Sequence, residues 1–115
     1  MDAINKYLKE TRNIVRLEDG RIYDGNRPRI VCNDGYSVSV QASRYHYCSP
    51  RIDGAEQYES VELLFPNMED ELINDYEVYS DYDDCNWSIY HYVPIEIVNV
   101  LIEKHGGIVH NEKGS

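Results

Sequence analysis

Asp34-Gly35-Tyr36-Ser37-Val38-Ser39-Val40-Gln41-Ala42-Ser43-Arg44-Tyr45-His46-Tyr47-Cys48-Ser49-Pro50-Arg51 is the stretch around which the rest of the chain is organised. Asn33-Asp34-Gly35 is a turn signal, and the short apolar run Arg29 to Cys32 precedes it, so an antiparallel pair of strands is expected here. Tyr36, Val38, Val40 and Ala42 alternate with Ser37, Ser39, Gln41 and Ser43, the clearest period-two pattern in the chain. Continued, the alternation puts Arg44, His46 and Cys48 in the apolar register and turns Tyr45 and Tyr47 the other way. Cations following an inward apolar set mark the rim of a sheet, and Ser49-Pro50 ends the strand.

Upstream, Asp2 caps a short helix to Arg12, with Ile4, Tyr7 and Leu8 on one side. Ile14 to Leu17 and Arg21 to Tyr23 flank Asp19-Gly20, which reads as a hairpin. Downstream, Ile52 to Gln57 is a polar loop. Tyr58 to Phe65 is a strand with Val61, Leu63 and Phe65 on one face, and Pro66 stops it. Asn67 caps a short helix to Ile73. Tyr76 to Asn86 is irregular or an edge strand, and Trp87 to Val93 is the final long strand. Pro94 opens the strongest helix, whose buried stripe is Ile97, Val98, Leu101 and Ile102; Gly106-Gly107 stops it. Ile108-Val109 adds a short strand. The expected fold is α+β: a mostly antiparallel sheet with the C-terminal helix on one face and a short N-terminal helix. Residues 1–110 form a single domain and 111–115 a frayed tail.

The 115 residues are 42% hydrophobic and 28% charged, which places the chain among globular proteins able to bury a core without staples. No long apolar run and no signal pattern is present, so the expected location is the cytoplasm, with no membrane contact. Cys32, Cys48 and Cys85 are too few and too scattered for a disulfide framework. Eleven Tyr against one Trp and one Phe suit half-exposed strands or an interface.

Charge is distributed unevenly. Residues 1–51 hold nine basic and six acidic groups, whereas 52–103 hold fourteen acids and no Lys or Arg; the net is −10. The excess acid repels free nucleic acid, whose binding rests on Lys and Arg, and speeds encounter with proteins that carry basic nucleic-acid grooves. The partner-binding candidates are therefore Glu69, Asp70, Glu71, Asp75, Tyr76, Glu77, Tyr79, Asp81, Tyr82, Asp83, Asp84 and Trp87. Their carboxylates imitate a phosphate backbone, and the aromatics are anchors. The plain alternative is a solvated face that serves solubility.

A second cluster, Arg44, His46, Cys48 and Arg51, offers a small enzyme or an anion pocket: cations beside a thiol lower its pKa and make a nucleophile. No local signature of a cysteine enzyme accompanies it. His46, Cys48, Cys85 and His91 have zinc-ligand chemistry without the paired close spacing of a structural site. Asp81 to Asn86 lacks the Gly and Glu of a calcium loop, and there is no P-loop, dinucleotide fingerprint or serine elbow. No cofactor, no metal and no catalytic residue is assigned.

The motif Asp34 to Arg51, with Val61-Glu62-Leu63-Leu64-Phe65-Pro66 and Tyr92-Val93-Pro94-Ile95-Glu96-Ile97-Val98 running on to Gly107, resembles a family of small proteins from phage and prophage genomes. The resemblance spans roughly residues 34–107. It implies expression in a bacterial host and carries over no functional residues. The acidic insert Glu69 to Asn86 and the N-terminal helix and hairpin depart from the shared pattern. By analogy of class, small acidic phage proteins include inhibitors of defence nucleases such as anti-CRISPR proteins. The expectation is a non-enzymatic inhibitor of a host protein with a basic nucleic-acid groove, such as a CRISPR nuclease. The alternatives are the Arg44–Arg51 enzyme or ligand module and a phage assembly or replication accessory protein.

Overall fold

The computed structural model describes residues 2–81 and 84–112, with side chains described for 2–79 and 87–109. Helix α1 (Ala3–Glu10) is followed by a two-stranded hairpin, β1 (Ile14–Arg16) and β2 (Ile22–Asp24). Then come β3 (Arg29–Cys32), β4 (Ser37–Gln41), β5 (Ser60–Leu64), a 3-10 helix (Glu71–Tyr76), β6 (Glu77–Asp81), β7 (Asp84–Pro94), α2 (Ile95–Lys104) and β8 (Ile108–Glu112). The last six strands form one antiparallel sheet in the order β6-β7-β5-β4-β3-β8. The fold is the expected α+β class.

Local chemistry explains the element ends. The Asp2 carboxylate accepts the Asn5 N–H at 2.9 Å and starts α1. Asn99 of α2 accepts the Ile4 N–H at 3.0 Å, so the two helices share a polar pin at the α1 N-terminus. Gly106 and Gly107, at φ 94° and 85°, end α2 in the left-handed region that glycine enters without cost. Because β7 and β8 run in the same direction, α2 has to carry the chain back, and it delivers β8 to the far edge beside β3.

The core lies under the helices. Val38 and Val40 of β4, Val61 and Leu63 of β5, and Tyr90 and Val93 of β7 are buried against Ile4 and Leu8 of α1 and Val98, Leu101 and Ile102 of α2. Several expectations need correction. Ile95 rather than Ile97 completes the buried stripe of α2. Asp70, not Asn67, caps the helix before β6, by accepting the Leu72 N–H at 3.0 Å. The final long strand begins at Asp84 rather than Trp87, and β8 takes up Asn111 and Glu112 of the expected tail.

The largest correction concerns the opening stretch. β4 ends at Gln41, and Ser43 begins a turn in which His46 N–H donates to the Ser43 carbonyl at 3.2 Å. The alternation therefore does not continue, and Arg44, His46 and Cys48 do not share a register. A serine hydroxyl that serves its own backbone competes with the ladder and stops the strand. Here Ser43 Oγ accepts the Tyr45 N–H at 3.0 Å.

Candidate functional site

The Ser43–Arg51 loop returns along the sheet end, where Tyr92 N–H donates to the Tyr47 carbonyl at 3.1 Å. Tyr92 sits at φ 52°, at the irregularity in the β5–β7 pairing. Arg44 is exposed and tied down: its guanidinium donates to the Ile22 carbonyl at 2.9 Å and approaches Asp53 at 3.6 Å. Arg51 lies over the Tyr47 ring at 4.6 Å and donates to the Arg44 carbonyl. Cys48 is buried, and its thiol points at the Ser43 carbonyl at 3.3 Å. Burial pushes the Cys48 thiol pKa up and the His46 pKa down. A nucleophile needs the opposite of both conditions, an accessible sulfur and a stabilised thiolate.

Ser43 Oγ and His46 Nδ1 are 2.6 Å apart, a contact that resembles a nucleophile–base pair. Ser43 is fully buried, and its hydroxyl already serves the turn, so this contact orders the loop. Iodoacetamide should therefore modify Cys48 in the folded protein at least about tenfold more slowly than in urea. Mass spectrometry of the alkylated peptide reads this directly; equal rates would show an accessible thiol.

Two arrangements that the sequence did not reveal come from residues far apart in the chain. Glu62 of β5 is buried on the sheet face away from the helices. It accepts the Tyr47 N–H at 3.3 Å and lies 3.5 Å from His91 Nε2, and the His91 ring stacks on Tyr47 at 3.9 Å. Its sequence neighbours Val61 and Leu63 predict only that Glu62 faces away from the core; the loop that covers it is not legible. The second is His105, held between two carboxylates, with Nδ1 2.6 Å from Asp34 and Nε2 2.8 Å from Asp70. Its ring stacks on buried Tyr36 at 4.0 Å. Burial opposes its charge, but the hydrogen bonds to Asp34 and Asp70 outweigh that and raise its pKa. While protonated, with both ring nitrogens donating to carboxylates, His105 has no lone pair for proton abstraction. Among the described residues, no group of three His, Cys, Asp or Glu is placed to hold a metal ion.

The acidic segment divides. Asp70 is turned inward, pairing with His105 and with Lys104 at 3.1 Å, so it is removed from any free acidic surface. Glu69, Glu71, Asp75 and Glu77 are exposed, and none makes an ion pair among the described residues. Tyr76 is half-buried against the core. Asp81 and Asp84 lie on β6 and β7 without described side chains, and Tyr82 and Asp83 lie outside the described residues.

Tyr79 is 58% exposed and opposite Ile89, which is opposite Leu64, so all three share the sheet face away from the helices. Trp87, two residues before Ile89 on β7, is 56% exposed, with its ring edge-on to Phe65 at 5.9 Å. The acids of the 3-10 helix lead directly into this edge of the sheet.

Fold and surface together define an acidic α+β protein with an aromatic sheet edge, β6, that pairs on one side only among the described residues. Comparison with family models, curated proteins and solved structures finds no match to this chain. Among the described residues, no helix is long and apolar enough to cross a membrane.

Proposed function

We propose that this is a non-enzymatic binding protein, of the phage kind that its motifs resemble. In this reading it docks its acidic edge on the basic groove of a bacterial nucleic-acid-handling protein and blocks that groove, as an anti-CRISPR protein would. One observation carries the reading. Exposed Glu69, Glu71, Asp75 and Glu77 precede more than half-exposed Tyr79 and Trp87 in the chain, in a segment without a single Lys or Arg from 52 to 103. Carboxylates steer encounter with a basic groove, and desolvated aromatic anchors supply the binding energy.

Guide-loaded CRISPR nucleases and other bacterial nucleic-acid enzymes, assayed with and without the protein, test it. One of them is expected to be inhibited. The triple substitution Glu71→Lys, Asp75→Lys, Glu77→Lys should weaken that inhibition by about 100-fold or more. The circular dichroism spectrum should not change, because these side chains serve no ion pair in the described fold. Unchanged inhibition by the variant, or no inhibition by the parent, overturns the reading.

A further inference from the structure

β6 is an outermost strand of the large sheet, hydrogen-bonded to β7 on one side only among the described residues. An edge strand exposes a row of unpaired N–H and C=O groups, a ready template for another strand. Natural edges are commonly blunted by Lys, by Pro or by bulges. β6 has no Lys and no Pro, and its charged residues are the acids Glu77 and Asp81, which blunt it against another acidic strand but not against a basic one. It does shift register against β7 on both sides of Tyr79. Val78 and Tyr79, consecutive in the strand, are 55% and 58% exposed. The edge therefore offers two apolar side chains to a neighbouring strand, and Trp87 adds an indole on the Tyr79 side.

Charge selects the occupant. A second copy of this chain added antiparallel would bring two sets of Glu77-to-Asp81 acids together on two molecules of net charge −10, and like charges directly opposite destabilise a pair. A basic strand relieves the repulsion. An Arg guanidinium on the Tyr79 face has Tyr79 and Trp87 rings available for cation–π contact, and on the other face Glu77, opposite Tyr90, offers an ion pair.

We infer that β6 accepts an extended, Arg- or Lys-rich segment of a partner protein as an added β-strand, using main-chain hydrogen bonds for affinity and the Glu77, Val78, Tyr79 and Trp87 side chains for selection. This deepens the reading above and rests on it, because it specifies how the acidic edge holds a basic partner.

Two peptides test it: one of roughly ten residues alternating Arg and Val, and the same peptide with Pro in place of two central Val. Their charge is equal, but only the first can pair as a strand. Calorimetry should show the alternating peptide binding at least about tenfold tighter. Amide hydrogen exchange, followed by NMR, should slow within Glu77–Asp81 when it binds. Equal affinities, or binding without slowed exchange in β6, overturn strand addition and leave charge-led docking in place. Binding of the alternating peptide that persists undiminished in the Glu71→Lys, Asp75→Lys, Glu77→Lys protein overturns the acidic reading itself. Failure of both peptides to bind overturns both.

Discussion

Arg27→Ala is expected to destabilise the protein by about 3–5 kcal/mol, a large part of what holds a domain of this size together. Arg27, in the β2–β3 connection, is buried between α1 and the end of β4. Its Nε donates to the Leu8 carbonyl at 3.0 Å and its Nη1 to the Ala42 carbonyl at 2.7 Å. Leu8 sits in the last turn of α1, where carbonyls have no helical partner, so the guanidinium caps that helix from the side. Nη2 faces Asp24 at 3.8 Å; Asp24 in turn takes Arg12 at 2.8 Å and the Gly54 N–H at 2.9 Å. The Gln41 side chain grips the Arg27 backbone from both sides, at 2.8 and 2.9 Å.

Truncation at Arg27 would leave two buried carbonyls without donors and a void where the side chain lay. Arg27→Lys keeps the charge but cannot reach both carbonyls as a fork does, so it should cost less than Ala and more than nothing. Urea unfolding followed by the fluorescence of Trp87, the only Trp, measures both. A loss below about 1 kcal/mol for Arg27→Ala would show that the carbonyls find other partners.

The same network explains why the Arg44–Arg51 cluster is legible as a group of residue types and not as a site. The sequence places Arg44, His46, Cys48 and Arg51 within eight positions, and proximity suggests shared chemistry. Their orientations are set from elsewhere: Asp53 and the β2 backbone hold Arg44, Ser43 turns His46, and the core takes Cys48. Alternation correctly identified β4 because both its neighbours, β3 and β5, bring apolar residues to the same face. It failed beyond Ala42 because a side-chain hydroxyl ended the ladder, which periodicity cannot register. The acidic run was legible as charge. That one of its members faces inward depends on Lys104 and His105 returning from more than thirty residues away, a tertiary event with no local signature.

Asp70→Ala should therefore cost stability instead of relieving charge repulsion, by about 2–3 kcal/mol for the lost cap and the broken buried contact with His105. The pH dependence gives the sharper test. Hydrogen bonds and charge lower the Asp34 and Asp70 pKa values and raise that of His105. A raised histidine contributes stability fully below its unfolded value of 6.5, and that contribution fades as pH rises through its higher folded pKa. The lowered carboxylates contribute above their unfolded value of 3.8 and lose that contribution as pH falls through their lower folded pKa values. The Asp34–His105–Asp70 clamp is thus strongest between pH 3.8 and 6.5. His46 acts in the reverse sense. Its pKa is pushed down by burial, so it costs stability as pH falls below 6.5. Comparing the parent with His105→Gln cancels that term, since both retain His46. The stability difference between the two should be largest and flat from about pH 4 to 6 and should shrink steadily above it. A difference independent of pH between 5 and 9 would mean that His105 is held by its stacking on Tyr36 and not as a cation between two carboxylates.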